Sequence, residues 1–540
     1  MSEDDERRMS RRTMLRVGAA GALGAVVLGC DPEGGMDAGT DSGLDAGMDA
    51  SLDDAGGDDA GEDAAVADAG PPPRPFAVPP LDPGMSTGGV RVFELELRPG
   101  SVSFVDGTTT PTLGYNGDFL GPALAFRRGE EVELRVTNRL GRVTTTHWHG
   151  MHVPAAMDGG PHQRIADGET WVARYTVMNP ASLCWFHPHA MGAVTDEHST
   201  SHSVYMGLAG LLWITDDESD ALALPKTYGV DDLPVVLQDR RFAPDGSFQH
   251  FVGDITPHSL RKGDQFLVNG VITPGLDTHA QQVRLRILNG SNARLYNLAL
   301  VDDTGATREF AQIGSDGGLL TAPVTRDRVR LSPGERAEIV LDLTGDEGRT
   351  LSLVSKNEEL SLDQYAGRVQ ADELDQQTVH LMTLRVGPAT AGAVTTLPSA
   401  LASFARIPES EAARTRVFQL GGPSGENHLI NGMAMDIART DAEVPLGDTE
   451  IWEIQNATNM AHPFHIHGQP FQVLSRSNIG MDGVPDEELG WKDTVLVRVG
   501  EIVRVIKRHT DFADPAGWFM FHCHILEHED RGMMGQFTVV

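Results

Sequence analysis

Near its C-terminal end the chain reads His522-Cys523-His524-Ile525-Leu526-Glu527-His528-Glu529-Asp530-Arg531-Gly532-Met533. A thiolate flanked by imidazoles, a further imidazole and a thioether are soft and borderline ligands of the kind that hold copper. Cys523, His528 and Met533 are spaced to share one ion, with the weak axial sulfur last, and such a site needs a second histidine from elsewhere in the fold. If the stretch is a strand, side chains alternate faces, so His522 and His524 point away from Cys523. They are then free to bind metal on the opposite side, joined to the cysteine by a few backbone bonds, a short route for electrons.

A lone cysteine between histidines also fits zinc, or chance. Three further clusters decide against both: His147-Trp148-His149-Gly150, Trp185-Phe186-His187-Pro188-His189 and His462-Pro463-Phe464-His465-Ile466-His467-Gly468. Half of the 20 histidines sit in these four clusters.

These motifs, in this order, resemble those of the multicopper oxidases, and the likeness runs from about Phe93 to Val540. Within that family the chain looks most like bacterial copper-efflux oxidases and laccase-like three-domain relatives. Other stretches that carry the resemblance are Gly207-Leu208-Ala209-Gly210 and Gly490-Trp491-Lys492-Asp493-Thr494-Val495. It implies four copper ions. His462, Cys523, His528 and Met533 match the type 1 ligands, and His147 and His465 the type 2 ligands. His149, His187 and His524 match one type 3 set, and His189, His467 and His522 the other. Met534 is a rival axial sulfur; the family spacing favours Met533. Asp158 and Glu529 match acids that deliver protons in similar oxidases, a role suited to a carboxyl near metal-bound oxygen.

The elements that must position these groups read as strands. Asn116-Gly117, Asn269-Gly270 and Asn431-Gly432 each precede an alternating run, at Val132–Val136, Val283–Ile287 and Glu450–Ile454, and each run is followed by asparagine: Asn138, Asn289 and Asn456. Strands with turns at short intervals indicate β-sandwiches. The resemblance names them: an all-β chain of three consecutive cupredoxin (Greek-key β-sandwich) domains, expected at 90–217, 218–395 and 410–540 with a connector at 396–409. Helices are expected to be short and confined to connections. The histidine motifs fall in the first and third repeats. The second, with unpaired His250, His258, His279 and His380, reads as a structural spacer.

Upstream, Ser10-Arg11-Arg12-Thr13-Met14-Leu15 resembles a twin-arginine export signal. The apolar run 17–28 is too short to span a membrane. Val27-Leu28-Gly29-Cys30 resembles a lipoprotein processing site, with ordinary cleavage as the alternative. Residues 1–30 are therefore expected to be a signal segment, with Cys30 lipidated. Residues 31–89, rich in Asp, Ala, Gly and Pro, are expected to be a disordered acidic linker. That tract supplies much of the net charge of −34, a sign that argues against nucleic acid. Cys184 is expected to be a buried small hydrophobe, and no disulfide is expected. An exported, periplasmic or cell-envelope protein follows, lipid-anchored and monomeric.

The implied activity is one-electron oxidation of phenols and aromatic amines coupled to reduction of dioxygen to water, with a periplasmic cuprous oxidase of copper tolerance as the alternative. A third reading is a non-catalytic exported scaffold, since some similar proteins without the copper ligands act in cell division. Copper nitrite reductase leaves the paired histidines unexplained. Against Cu(I) as the preferred donor, the stretch 420–428 is short and lacks the methionines of the copper-efflux oxidases. Met460 matches one cuprous ligand, but Thr458 stands where those enzymes carry an acid. The missing cover is expected to expose an edge of His462 or His528. His152, His162, His198 and His202 are expected to be surface groups or supports for the ligands.

Overall fold

The structure, a computed structural model, describes residues 73–193, 196–250, 260, 262–360, 373–422, 428–477 and 483–540. The signal segment, Cys30, the linker up to residue 72, His258 and the middle of the 420–428 stretch lie outside the described residues.

Each asparagine of the sequence repeat has the same job in all three copies. Asn116, Asn269 and Asn431 take left-handed backbone angles, with φ of 56°, 50° and 54°, a conformation their short polar side chains tolerate. Their Oδ1 atoms accept the backbone N–H of Glu96, Val236 and Gln419 at 2.7–2.8 Å, pinning each turn to a neighbouring strand. The strand-ending Asn138, Asn289 and Asn456 donate to the carbonyls of Ile165, Leu331 and Val497. Their Oδ1 atoms accept the N–H two residues on. Each therefore supplies hydrogen bonds to backbone groups where the strand ladder stops.

Three β-sandwiches of the cupredoxin type follow one another. In the first, Ala123–Arg127, Gly210–Thr215, Ser182–His187 and His147–His149 lie side by side, opposite Val90–Val102, Glu131–Asn138 and Thr170–Thr176. The second pairs a sheet of seven strands with one of five on its main path and an extra strand, Val329–Leu331, beside Tyr296–Val301. In the third, Arg414–Leu420, Thr449–Asn456, Ile502–Arg508 and Gln472–Arg476 face a sheet ordered Ala442–Val444, Met534–Val539, Phe519–Cys523, His462–Ile466, Thr494–Val497. In every copy the repeated strand lies parallel to the strand that opens its sandwich: Val90–Val102 with Glu131–Asn138, Asp232–Arg240 with Gln282–Asn289, and Arg414–Leu420 with Thr449–Asn456. Separate apolar cores fill the three sandwiches, around Leu134 and Phe186, Leu285 and Ile339, and Trp452 and Phe521.

Among the described residues the α-helices are Thr200–Tyr205, Asp217–Asp220 and Leu526–Asp530, all in connections, and none is long and apolar enough to cross a membrane. Ordered pairing begins earlier than composition suggested. Leu81–Asp82 and Met85–Thr87, placed in the linker by sequence, join the two sheets of the first sandwich. Short strands at an edge need little apolar sequence of their own because the ladder supplies their partners.

Candidate metal centre

Two pairs of adjacent strands carry the histidines. His147–His149 pairs with Ser182–His187, setting His147 opposite His187. His462–Ile466 pairs with Phe519–Cys523, setting His465 opposite His522. The first and third sandwiches press these pairs together. The ring of His147 stacks on His467 with centroids 3.9 Å apart, and His149 stacks on His465 at 3.8 Å. Nε2 of His522 lies 3.2 Å from Nε2 of both His189 and His467. His524 sits 4.9 Å from His149 and 5.4 Å from His187 between centroids. The pairs and triads implied by the resemblance are neighbours in space, and all ten histidines are buried.

The donor set fits a metal. His147, His187 and His465 each use Nδ1 on a backbone carbonyl, of Asp158, Pro188 and Asp493, at 2.8–2.9 Å. Their buried Nε2 atoms have no hydrogen-bond partner. His149 is turned the other way: Nε2 meets Asp493 Oδ1 at 3.2 Å and Nδ1 is unpartnered. One nitrogen anchored and the other bare is how metal-binding imidazoles are oriented. Burial first, then the neighbouring rings, push the pKa values of His187, His189, His467, His522 and His524 well below the ordinary value. The same holds for His149. Neutral imidazole is the form that binds metal.

On the other face of the same strand, Cys523 Sγ lies 3.4 Å from Nδ1 of His462 and 3.4 Å from Nδ1 of His528. Met533 is buried beside them. Its carbonyl accepts the Cys523 N–H and its N–H donates to the His528 carbonyl. Burial pushes the Cys523 thiol far up and holds His462 down to about 3. Metal entry must therefore displace a thiol proton. The Thr458 hydroxyl fixes His462 through Nε2 at 2.7 Å. The expected exposed edge is absent: His462 and His528 are both 0% exposed. The half-buried ring of His428 lies 4.5 Å from that of His528.

Both candidate acids lie at the cluster. Asp158 Oδ2 is 2.7 Å from His467 Nδ1, and Oδ1 is buried without a partner. Glu529 Oε1 lies 3.2 Å from Nδ1 of His189, and Oε2 lies 3.4 Å from Nδ1 of His522. Burial, then Asp530, raises the Glu529 pKa well above the carboxylate range. Lys507 Nζ donates to the His467 carbonyl at 2.5 Å, and burial lowers its pKa to about 7.

Sequence reading missed Asp493 and Arg336. Asp493 holds His149 by its side chain and His465 by its carbonyl. Arg336 grips it with two guanidinium nitrogens, at 2.7 Å and 2.5 Å. Arg336 comes from the second sandwich, so that sandwich is more than a spacer. Burial opposes its charge, but Arg336 and then His149 hold Asp493 well below the carboxylate range. The pair also explains the glycine of His147-Trp148-His149-Gly150. At φ +86°, a Cβ on Gly150 would lie 2.7 Å from Arg336 Nη2 and 2.8 Å from Asp493 Oδ2. The only sequence signal for Asp493 was its place in the Gly490–Val495 stretch.

The remaining histidines stand apart. His152 faces Asp511 at 3.4 Å, His162 meets Gln536 at 2.8 Å, His198 lies 3.8 Å from Asp196, and His202 packs by His250. Among the described residues none joins a group of three metal donors. Cys184 is buried and unbridged beside Gly150. Met534 is buried in the last strand.

Two family models described as multicopper oxidase match residues 408–540 and 96–219. A protein of Staphylococcus haemolyticus named multicopper oxidase mco is 33% identical over 84% of this chain and 89% of its own length. The cell division protein FtsP of Xenorhabdus nematophila is 33% identical over 85% of this chain and 92% of its own. Among solved structures, a laccase-like multicopper oxidase, CueO, from Ochrobactrum sp., described with oxidase activity towards lignin model compounds and lignosulfonate, matches with a TM-score of 0.75. It is 36% identical, over 86% of this chain and all of that one.

Proposed function

The chain belongs to the multicopper oxidase family, and we propose that it oxidises phenols and aromatic amines one electron at a time at the cysteine site while reducing dioxygen to water at the histidine cluster. The observation that carries this is the convergence of the motif histidines on two sites that share one strand, nine of them in groups of three donors and His524 by its ring's approach to His149 and His187. Bound copper would supply the one-electron centres: one held by His462, Cys523, His528 and Met533, and three by the other histidines, together matching the four electrons dioxygen requires.

The polypeptide supplies position and protons. Asp158 fixes His467 through Oδ2 and is placed to hold a proton at Oδ1. Glu529, whose pKa burial raises, stands at the edges of His189 and His522 as a second proton store. Asp493 and Arg336 fix the tautomers and tilt of His149 and His465. A donor approaching His528 meets His428. Thr458, which stands where the copper-efflux oxidases carry an acid, is spent on His462, and the sequence of the 420–428 stretch has no methionine, which weighs against a tight cuprous site, since Cu(I) prefers soft partners. The laccase-like neighbour supports organic donors.

A periplasmic cuprous oxidase of copper tolerance is the alternative. The FtsP relatives favour a further reading, a non-catalytic envelope protein; a complete and buried donor set weighs against it. We place the protein in the cell envelope as a monomer, exported through its twin-arginine motif and anchored by lipid on Cys30. The domain limits 218–395 and 410–540 are supported by where the strand pairings begin and end, whereas the first sandwich takes in Leu81–Asp82 and Met85–Thr87, ahead of the proposed limit at 90.

One experiment separates these readings. Oxygen uptake by copper-loaded protein is measured on a phenol, an aromatic diamine and Cu(I). Turnover of both organic donors without added Cu(II), and a lower kcat/KM for Cu(I), is expected. Preference for Cu(I) would install the copper-tolerance reading, and no turnover on any donor the scaffold reading.

A further inference from the structure

Away from the metal donors, a cavity of about 330 Å³ opens between the second and third sandwiches. Its wall is rich in cations. Arg326, Arg328 and Arg330 come from the second sandwich, and Arg476, Lys492 and Arg498 from the third. Four of these are already satisfied. Arg326 pairs with Glu487, Arg328 with Glu359, Arg476 with Glu488 and Glu501, and Lys492 with Asp316 and Glu335.

Arg330 and Arg498 are different. Among the described residues neither makes an ion pair, and the buried Nε of Arg330 has no acceptor. Both are half-buried. A guanidinium keeps its charge under nearly all conditions and presents a planar fork of donors suited to oxyanions. Two unpaired forks facing one cavity repel each other, and removal from water adds to the cost. Burial first and Arg498 second lower the Arg330 pKa to about 10. Glu335, Glu487 and Glu488 also line the cavity, but they pair with Lys492, Arg326 and Arg476, so among the described residues Arg330 and Arg498 are the wall cations left without an ion-pair partner.

We propose that this cavity is a binding site for a small tetrahedral oxyanion, phosphate or sulfate, held by Arg330 from one sandwich and Arg498 from the other. The anion takes charge-assisted hydrogen bonds from both guanidinium groups. Bound there, the anion fastens the second sandwich to the third. It also sits beside Lys492, the residue before Asp493, and so next to the support of His149 and His465.

The test is calorimetric titration of the copper-loaded full chain with sodium sulfate and, separately, sodium phosphate, at ionic strength fixed with sodium chloride. One saturable site is expected for either anion. Arg330→Gln and Arg498→Gln should each weaken it about tenfold or more, the loss of one charge-assisted contact. Arg139→Gln, a surface cation of the first sandwich, should leave it unchanged. Circular dichroism establishes that each variant is folded, and having the two substitutions on different sandwiches keeps the test decisive if one fails to fold. Absence of saturable binding in the unaltered protein, or affinity unchanged in a folded Arg330→Gln or Arg498→Gln variant, would overturn the proposal.

Discussion

Asp158 Oδ2 lies 2.7 Å from Nδ1 of His467, so a carboxylate of the first sandwich orients a histidine of the third. Its second oxygen is buried and unpartnered, which leaves it free for the proton-delivery role proposed for it. Asp158→Asn keeps an acceptor for His467 but cannot release a proton near neutral pH. It is expected to leave colour and reduction by donor intact and to slow reoxidation by oxygen about a hundredfold. Stopped-flow reoxidation between pH 5 and 8 measures this; a rate equal to that of the unaltered enzyme removes Asp158 from proton delivery.

Cys523 is the one group that belongs to the strand of the histidine cluster and faces His462 and His528. Cys523→Ser should abolish the intense blue absorption and steady-state turnover while the far-ultraviolet circular dichroism stays unchanged. Copper content should fall by the equivalent of one site. Undiminished turnover would show that electrons enter elsewhere.

Asp493 is held by Arg336 in the interior, and losing one partner of a buried charge pair strands the other. Asp493→Asn should weaken copper retention at the histidine cluster about 10–100-fold, as changes in groups that support metal ligands do. The blue band, which depends on other residues, should survive. Competition with a chelator, read by copper analysis and absorption together, tests it; equal loss from both sites would point to general unfolding.

Lys507 gives a pH dependence with a definite sign. Its folded pKa of about 7 lies below the ordinary value of 10.5, so between these limits the unfolded chain binds more protons. Stability from this group is full above the upper limit and lost as pH falls towards 7. Urea unfolding should show the unaltered chain gaining about 3–5 kcal/mol from pH 7 to 10 relative to Lys507→Met. Parallel curves for the two proteins would mean that the amine is charged inside.

The ring of His428 lies 4.5 Å from that of His528 and is proposed to screen it from donors. His428→Ala should uncover the ring edge and raise kcat/KM for bulky phenols several-fold, with little change for a small diamine. Equal effects on both would mean that His428 acts on potential rather than access, which a redox titration of the blue band would reveal.

The clustering of the ten histidines with Cys523 was legible because imidazoles at X-x-X spacing around a single cysteine seldom serve anything but metal. The three sandwiches were legible because Asn116, Asn269 and Asn431 repeat a turn whose hydrogen bonds repeat too. Asp493 and Arg336 were not, since one acid and one arginine far apart in sequence carry no spacing signature until folding joins them. The burial of His462 and His528 was misjudged because counting methionines in 420–428 says nothing of the other groups that pack on these rings, such as His428 beside His528. Leu81–Asp82 and Met85–Thr87 escaped notice because edge pairing is a property of the partner strand.

Arg336 changes how this scaffold can be cut and rejoined. Among the described residues the middle sandwich joins no group of three metal donors, so exchanging it for that of a relative looks like a harmless graft. Yet the guanidinium that steadies Asp493 arrives with the strand Arg336–Asp342. A chimaera whose donor segment lacks an arginine at that register would fold its three sandwiches and still lose its grip on His149 and His465. Recombination within such a family is therefore constrained by a residue that a map of metal ligands would omit.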